Sequence, residues 1–161
     1  MELKVAVYDS HEKAINAIKK LEENHFSMKN ISLVGKANLV DDHIHIKSFK
    51  TAEEASVLIG AGAGTLVGLL TGLGVFAIPG FGFLYGAGAI VGIIGGFDLG
   101  VITGGLTGIL AGLGFKDDKV VKYEQHLKEG KFMLLLKGTL DEIKSAEHIL
   151  HTEGTHLELD Y

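Results

Sequence analysis

Glycine recurs at every fourth position through the middle of this chain. Gly60, Gly64, Gly68 and Gly72 form one series. Gly88, Gly92, Gly96, Gly100, Gly104, Gly108 and Gly112 form a second in the same phase. In water each glycine costs a helix about 1 kcal/mol relative to alanine, so eleven in phase would cost roughly 10 kcal/mol. Leu, Val and Ile fill the positions between, unlike the polar filling of a flexible linker. Small residues at i and i+4 let two helix backbones touch, and a bilayer enforces helix despite glycine. The phase therefore predicts a glycine-zipper pair of helices.

The two series are separated by "AIPGFGF", in which Pro79, Gly80 and Gly82 are turn residues. Folded about residue 80, the series face each other: Gly72 meets Gly88, Gly68 meets Gly92, Gly64 meets Gly96, and Gly60 meets Gly100. Ser56 would then face Gly104 and Ala52 would face Gly108, all small residues. The expectation is an antiparallel helical hairpin with arms over 55–77 and 84–112. Each arm exceeds the ~20 residues that a bilayer-spanning helix needs. Lys47 and Lys50 flank one side, and Lys116, Lys119 and Lys122 the other. By the charge rule both flanks belong on the cytoplasmic side of an inner membrane, with both termini cytoplasmic and Phe81, Phe83 and Tyr85 near the far interface. A soluble homo-oligomer, a ring or filament with hairpins packed together, is the alternative.

Between Ala55 and Phe115 the only charged residue is Asp98. An ionisable residue in an apolar span costs at least about 2.5 kcal/mol and is a candidate ion or polar site. Asp98 points away from the glycine ridge, toward another subunit, a third element or an aqueous path. A small channel or transporter subunit using Asp98 is a further alternative. Its bland counterpart is a protonated Asp98, or one bonded to Thr103 or Thr71.

The polar ends read as two halves of one domain. "KVAVYD" is a strand, and Ser10 caps a helix whose apolar positions are Ala14, Ala17, Ile18 and Leu21. "NISLVGK" is a second strand. At the far end "KFMLLLKG" is a strand, and Thr139 and Glu142 form a capping box. Ile143, Ala146 and Leu150 mark the buried face, Gly154 the stop, and "THLELDY" a closing strand. Setting Ser10 on Thr139 aligns Ala14 with Ile143, Ala17 with Ala146 and Leu21 with Leu150. Two β-α-β halves imply an α+β, ferredoxin-like split βαβ domain over 1–50 and 116–161, interrupted by the hydrophobic hairpin over 51–115. "KDDKVVKYEQHLKEG" reads as a short helix ending before Gly130.

Composition narrows the function. The net charge of −5 comes from interspersed Lys and Glu, so there is no basic stripe for nucleic acid. The chain has no cysteine, which removes disulfides, thiolate metal sites and cysteine nucleophiles. Eight histidines include His43 and His45, and His148, His151 and His156, at ligand-compatible spacings, but without HExxH or a set acidic ligand. Surface histidines are the commoner outcome, so no metal is expected. "GAGAG" does not follow a strand and lacks the ribose-binding acid of a dinucleotide site. No nucleophile, P-loop or paired-acid motif is present, so neither an enzyme nor a cofactor is expected.

The motifs "VAVYDS", the Gly/Ala-rich centre over 55–115 and "YEQHLKEG" (Tyr123 to Gly130) together give the chain a family likeness. Over nearly all 161 residues it resembles a family of small bacterial stress proteins. They are described as general stress, heat-induced or low-temperature-induced, or as predicted membrane proteins of unknown function. The resemblance brings no catalytic residue with it. It implies a non-enzymatic, membrane-associated stress-response protein that self-assembles through its hairpin, with the lipid bilayer and further copies of itself as partners. A small-molecule ligand of the sheet domain stays open.

Overall fold

The computed structural model describes residues 2–37, 73–78, 80–89 and 105–160. In chain order the elements are β1 (Glu2–Tyr8), α1 (His11–Glu23), a 3-10 turn (Met28–Asn30), β2 (Ile31–Lys36), β3 (Leu73–Ile78) and β4 (Gly82–Gly88). They continue with α2 (Gly105–Gly112), α3 (Asp117–Lys128), β5 (Phe132–Gly138), α4 (Leu140–Glu153) and β6 (Glu158–Asp160). The fold is α+β. Among the described residues six strands form one antiparallel sheet in the order β3-β4-β2-β5-β1-β6.

Why the central strands read as unbroken apolar runs follows from their position. Side chains alternate faces along a strand. Ala6 and Tyr8 of β1, with Leu134 and Leu136 of β5, pack against Ala14, Ala17, Ile18 and Leu21 of α1 and Ile143, Ala146 and Leu150 of α4. Val5 and Val7, with Met133 and Leu135, pack on the other face against Leu106, Ile109 and Leu110 of α2 and Val120, Tyr123 and Leu127 of α3. Both faces are covered, so both sets of alternating residues must be apolar.

The helix limits are set by local chemistry. The Ser10 hydroxyl accepts from the Lys13 amide at 3.3 Å and starts α1. Thr139 and Glu142 close a reciprocal capping box at the start of α4, and Gly154, at φ +70°, ends it in the left-handed conformation.

The middle of the chain departs from the expectation of two spanning helices. Residues 73–78 and 82–88 are strands, and α2 contributes only eight helical residues at the far end of the second expected arm. Among the described residues no helix is long and apolar enough to cross a membrane. The transmembrane-helix expectation and the inner-membrane placement, with the cytoplasmic siting of the termini that rested on it, are therefore corrected. The physical reason lies in β4. It pairs with β2 from Ser32↔Gly88 to Lys36↔Leu84, so the segment meant to reach a far interface is bonded into the domain sheet. Tyr85, expected at that interface, is buried in the α1-side core.

The centre of symmetry nevertheless falls at residue 80. Leu73 pairs with Ala87, Gly74 with Gly86, Val75 with Tyr85, Phe76 with Leu84, Ala77 with Phe83 and Ile78 with Gly82. The hairpin is a β-hairpin, with Gly80 at φ +76° and Gly82 at φ +103° in and beside its turn.

Candidate functional site

The two edges of the sheet are built differently. At one edge lies β6, three residues long and carrying two acids. Cations from α3 cover those acids. Lys119 and Lys122 both reach the Asp160 carboxylate, and Lys122 also meets Glu158. The His126 Nε2 stands 3.1 Å from Glu158 Oε2. Lys131 Nζ is 3.1 Å from His126 Nδ1 and 2.6 Å from Glu129. A lysine ammonium can only donate, so Nδ1 accepts and Nε2 carries the proton given to Glu158. Burial, then the Lys131 charge, with a smaller push from Lys122, hold the His126 imidazole below the usual histidine range; Glu129 opposes them. Short length, charge and cover are the devices that keep an edge strand from pairing with another chain.

The other edge is β3, and among the described residues it has none of these devices. Its six residues, Leu-Gly-Val-Phe-Ala-Ile, carry no charge and no proline. Among the described residues no strand pairs with its outer side. The Phe81 amide donates to the Ile78 carbonyl at 3.1 Å, so Ile78 turns its peptide groups inward toward β4. Inward and outward groups alternate along an antiparallel strand. Ala77, Val75 and Leu73 therefore direct their N–H and C=O groups to the outer side.

Beside this edge, Ala77 is exposed and its cross-strand partner Phe83 is 64% exposed. Phe83 lies two residues from Tyr85, on the same face as α1, but beyond the reach of that helix's cover. On the opposite face Phe76 and Phe81 pack against the second core. The Lys36 ammonium lies 5.7 Å from the centre of the Phe81 ring.

The hairpin is anchored to β2 by close backbone contact. At Gly88, φ +86°, a Cβ would stand 2.2 Å from the Ile31 carbonyl oxygen. At Gly35 a Cβ would stand 2.3 Å from the Phe132 ring. That ring is held in turn by His11, at 5.3 Å between centroids, and His11 meets Tyr85 edge-on at 5.6 Å.

Of the residues singled out in the sequence, Gly88 is thus a strand residue in contact with β2 rather than a helix-packing glycine. Gly108 and Gly112 lie in α2, where Gly108 is half-buried and Gly112 exposed. Gly80 and Gly82 lie at the turn. Gly60, Gly64, Gly68, Gly72, Pro79, Gly92, Gly96, Asp98, Gly100 and Gly104 lie outside the described residues, as do His43 and His45. The structure brings His151 and His156 together, with ring centroids 5.4 Å apart. No group of three His, Asp or Glu among the described residues is placed to hold a metal. Tyr8, wholly buried, has a hydroxyl with no hydrogen-bond partner among the described residues; burial, and then the Glu153 charge, raise its pKa.

Sequence reasoning assigned Phe83 to a far membrane interface and missed the open edge. The signal was the aromatic and β-branched content on both sides of the turn: Val75, Phe76 and Ile78, then Phe81, Phe83 and Tyr85. Comparison with protein-family models, with curated proteins and with solved structures gives no match in any of the three.

Proposed function

We propose that this chain is a non-catalytic, self-associating protein of a bacterial stress response, built on a ferredoxin-like core. The core reading is supported by the strands outside the hairpin. They lie in the order β2-β5-β1-β6, and α1 and α4 each link two strands separated by one neighbour on the same face. The stress role rests on the family resemblance of "VAVYDS" and "YEQHLKEG".

The observation that carries self-association is the contrast between the edges. β6 is short, acidic and clasped by lysines, while β3 is longer, uncharged and flanked by exposed Phe83. An edge of the second kind is a template for another chain. The test is the mass in solution, by light scattering on a size-exclusion column across a hundredfold range of loading. A mass at multiples of 17.1 kDa is expected. A monomer at every concentration would overturn the reading.

A further inference from the structure

We infer that two copies pair through β3, antiparallel about a two-fold axis at Val75, joining their sheets edge to edge into one. This rests on the self-association reading and names its geometry. Three observations lead to it.

The first is which partner the edge fits. The added strand must match six uncharged residues. The opposite edge of a second copy offers β6, with three residues whose two acids are already held by Lys119, Lys122 and His126. Pairing β3 with β6 would strip those acids of partners or set them beside an apolar strand. β3 of a second copy matches in length and sets no charge against charge. An interface that uses one surface twice also closes on itself, whereas β3 on β6 would propagate as a filament.

The second is the register. Leu73, Val75 and Ala77 are the residues whose peptide groups point outward, by alternation from Ile78. Placing Val75 opposite Val75 of the second copy sets Leu73 opposite Ala77 and Ala77 opposite Leu73. Every outward group is then used, and no outward-facing residue of β3 overhangs. A two-fold at Gly74 would leave the outward groups of Ala77 without a β3 partner, and one at Phe76 would leave those of Leu73 without one.

The third is the surface that goes with the edge. Ala77 and Phe83 form an exposed row across β3 and β4. In the joined sheet this row lies beside the strand of the second copy, so the apolar strip no longer ends at a solvent boundary.

The chain has no cysteine, so introduced thiols report without background. Val75→Cys should oxidise to a disulfide-linked dimer, because opposed α-carbons about 5.5 Å apart lie within disulfide reach. Ala77→Cys should not self-link efficiently, because four residues of offset at ~3.4 Å each separate the two copies by roughly 14 Å. A mixture of Leu73→Cys and Ala77→Cys chains should cross-link to each other, with a yield at least about fivefold above either alone. This mixed pair reads the same register should Val75→Cys fail to fold. Ala77→Lys, which places a charge on the edge, should lower the dimer fraction at least about tenfold at fixed concentration. A wild-type oligomer whose thiols link without this register preference would overturn the pairing and leave self-association standing. A wild-type monomer would overturn both.

Discussion

Lys4, fully buried in β1, places its ammonium 3.0 Å from Glu147 Oε1 on α4. It lies between sheet and helix on the α1–α4 face of that strand, where Glu2, two residues earlier, is exposed. Removing one partner of a buried charge costs more than removing the charge itself, because the ion that remains keeps its desolvation penalty. Glu147→Ala should destabilise the fold by about 2 kcal/mol, below the ~3–5 kcal/mol of a fully buried pair, since Glu147 is partly exposed. Lys4→Met should change stability by within about 1 kcal/mol. Urea unfolding of the two variants checks the order. A Lys4→Met loss larger than that of Glu147→Ala would count against it.

Gly88→Ala should be among the most damaging single changes in the hairpin. The site combines φ +86° with a carbonyl oxygen 2.2 Å from the new methyl, and a backbone atom cannot swing aside. Left-handed strain of ~1–2 kcal/mol adds to overpacking of roughly 1–3 kcal/mol. Thermal unfolding of this variant against Gly80→Ala separates the two costs, because Gly80 shares the positive φ but has nothing within 4 Å. Equal losses would mean that the contact with Ile31 carries no weight.

Gly35→Ala tests the opposite kind of neighbour. Its methyl would meet the Phe132 ring, a side chain, but one wedged against His11. The expected loss is about 1–3 kcal/mol. The double variant Gly35→Ala with Phe132→Leu should recover part of it, whereas full additivity would show that the ring is not the obstacle.

His126 gives stability a pH dependence with a definite sign. In the folded chain it binds its proton less readily than in the unfolded chain, whose histidine titrates near 6.5. Acid therefore favours the unfolded state through this group. Its contribution is intact above about pH 6.5 and is lost as pH falls toward the lower folded value. The drop in Tm between pH 7.5 and pH 5 should be smaller in His126→Gln than in the parent. An unchanged slope would place the acid sensitivity elsewhere.

Much of the outer core was legible in the sequence. Ser10, Thr139, Glu142 and Gly154 cap the helices as their residue types require, and Ala14, Ala17, Ile18, Leu21, Ile143, Ala146 and Leu150 are all buried. Local hydrogen-bond chemistry and helical spacing settle such features within a few residues. The centre of the hairpin was legible for a different reason. Any hairpin, of helices or strands, mirrors its residues about the turn, so residue 80 follows from symmetry alone.

The element type across 73–88 was not legible from the glycine phase. Four is a multiple of two, so a four-residue period lies along one side of a helix and equally along one face of a strand. Gly72 and Gly88 fit both. What separates the cases is the filling, and Val75, Phe76, Ile78, Phe83 and Tyr85 favour a strand. The β6 clasp was invisible for a further reason. Lys119, Lys122 and His126 are more than thirty residues from Glu158 and Asp160, and no local pattern links them.

The place of β1 bears on how the molecule is made. β1 precedes the glycine-rich middle in sequence, yet both of its sheet neighbours, β5 and β6, follow it. Pairings so distant in sequence form slowly. Throughout translation of the glycine-rich middle, the run Val5–Tyr8 can be covered by α1 but lacks the strands it pairs with among the described residues. A growing chain of this kind must hold an apolar strand in reserve until β5 and β6 leave the ribosome, and that interval is when it is most open to capture by a chaperone or by another nascent copy.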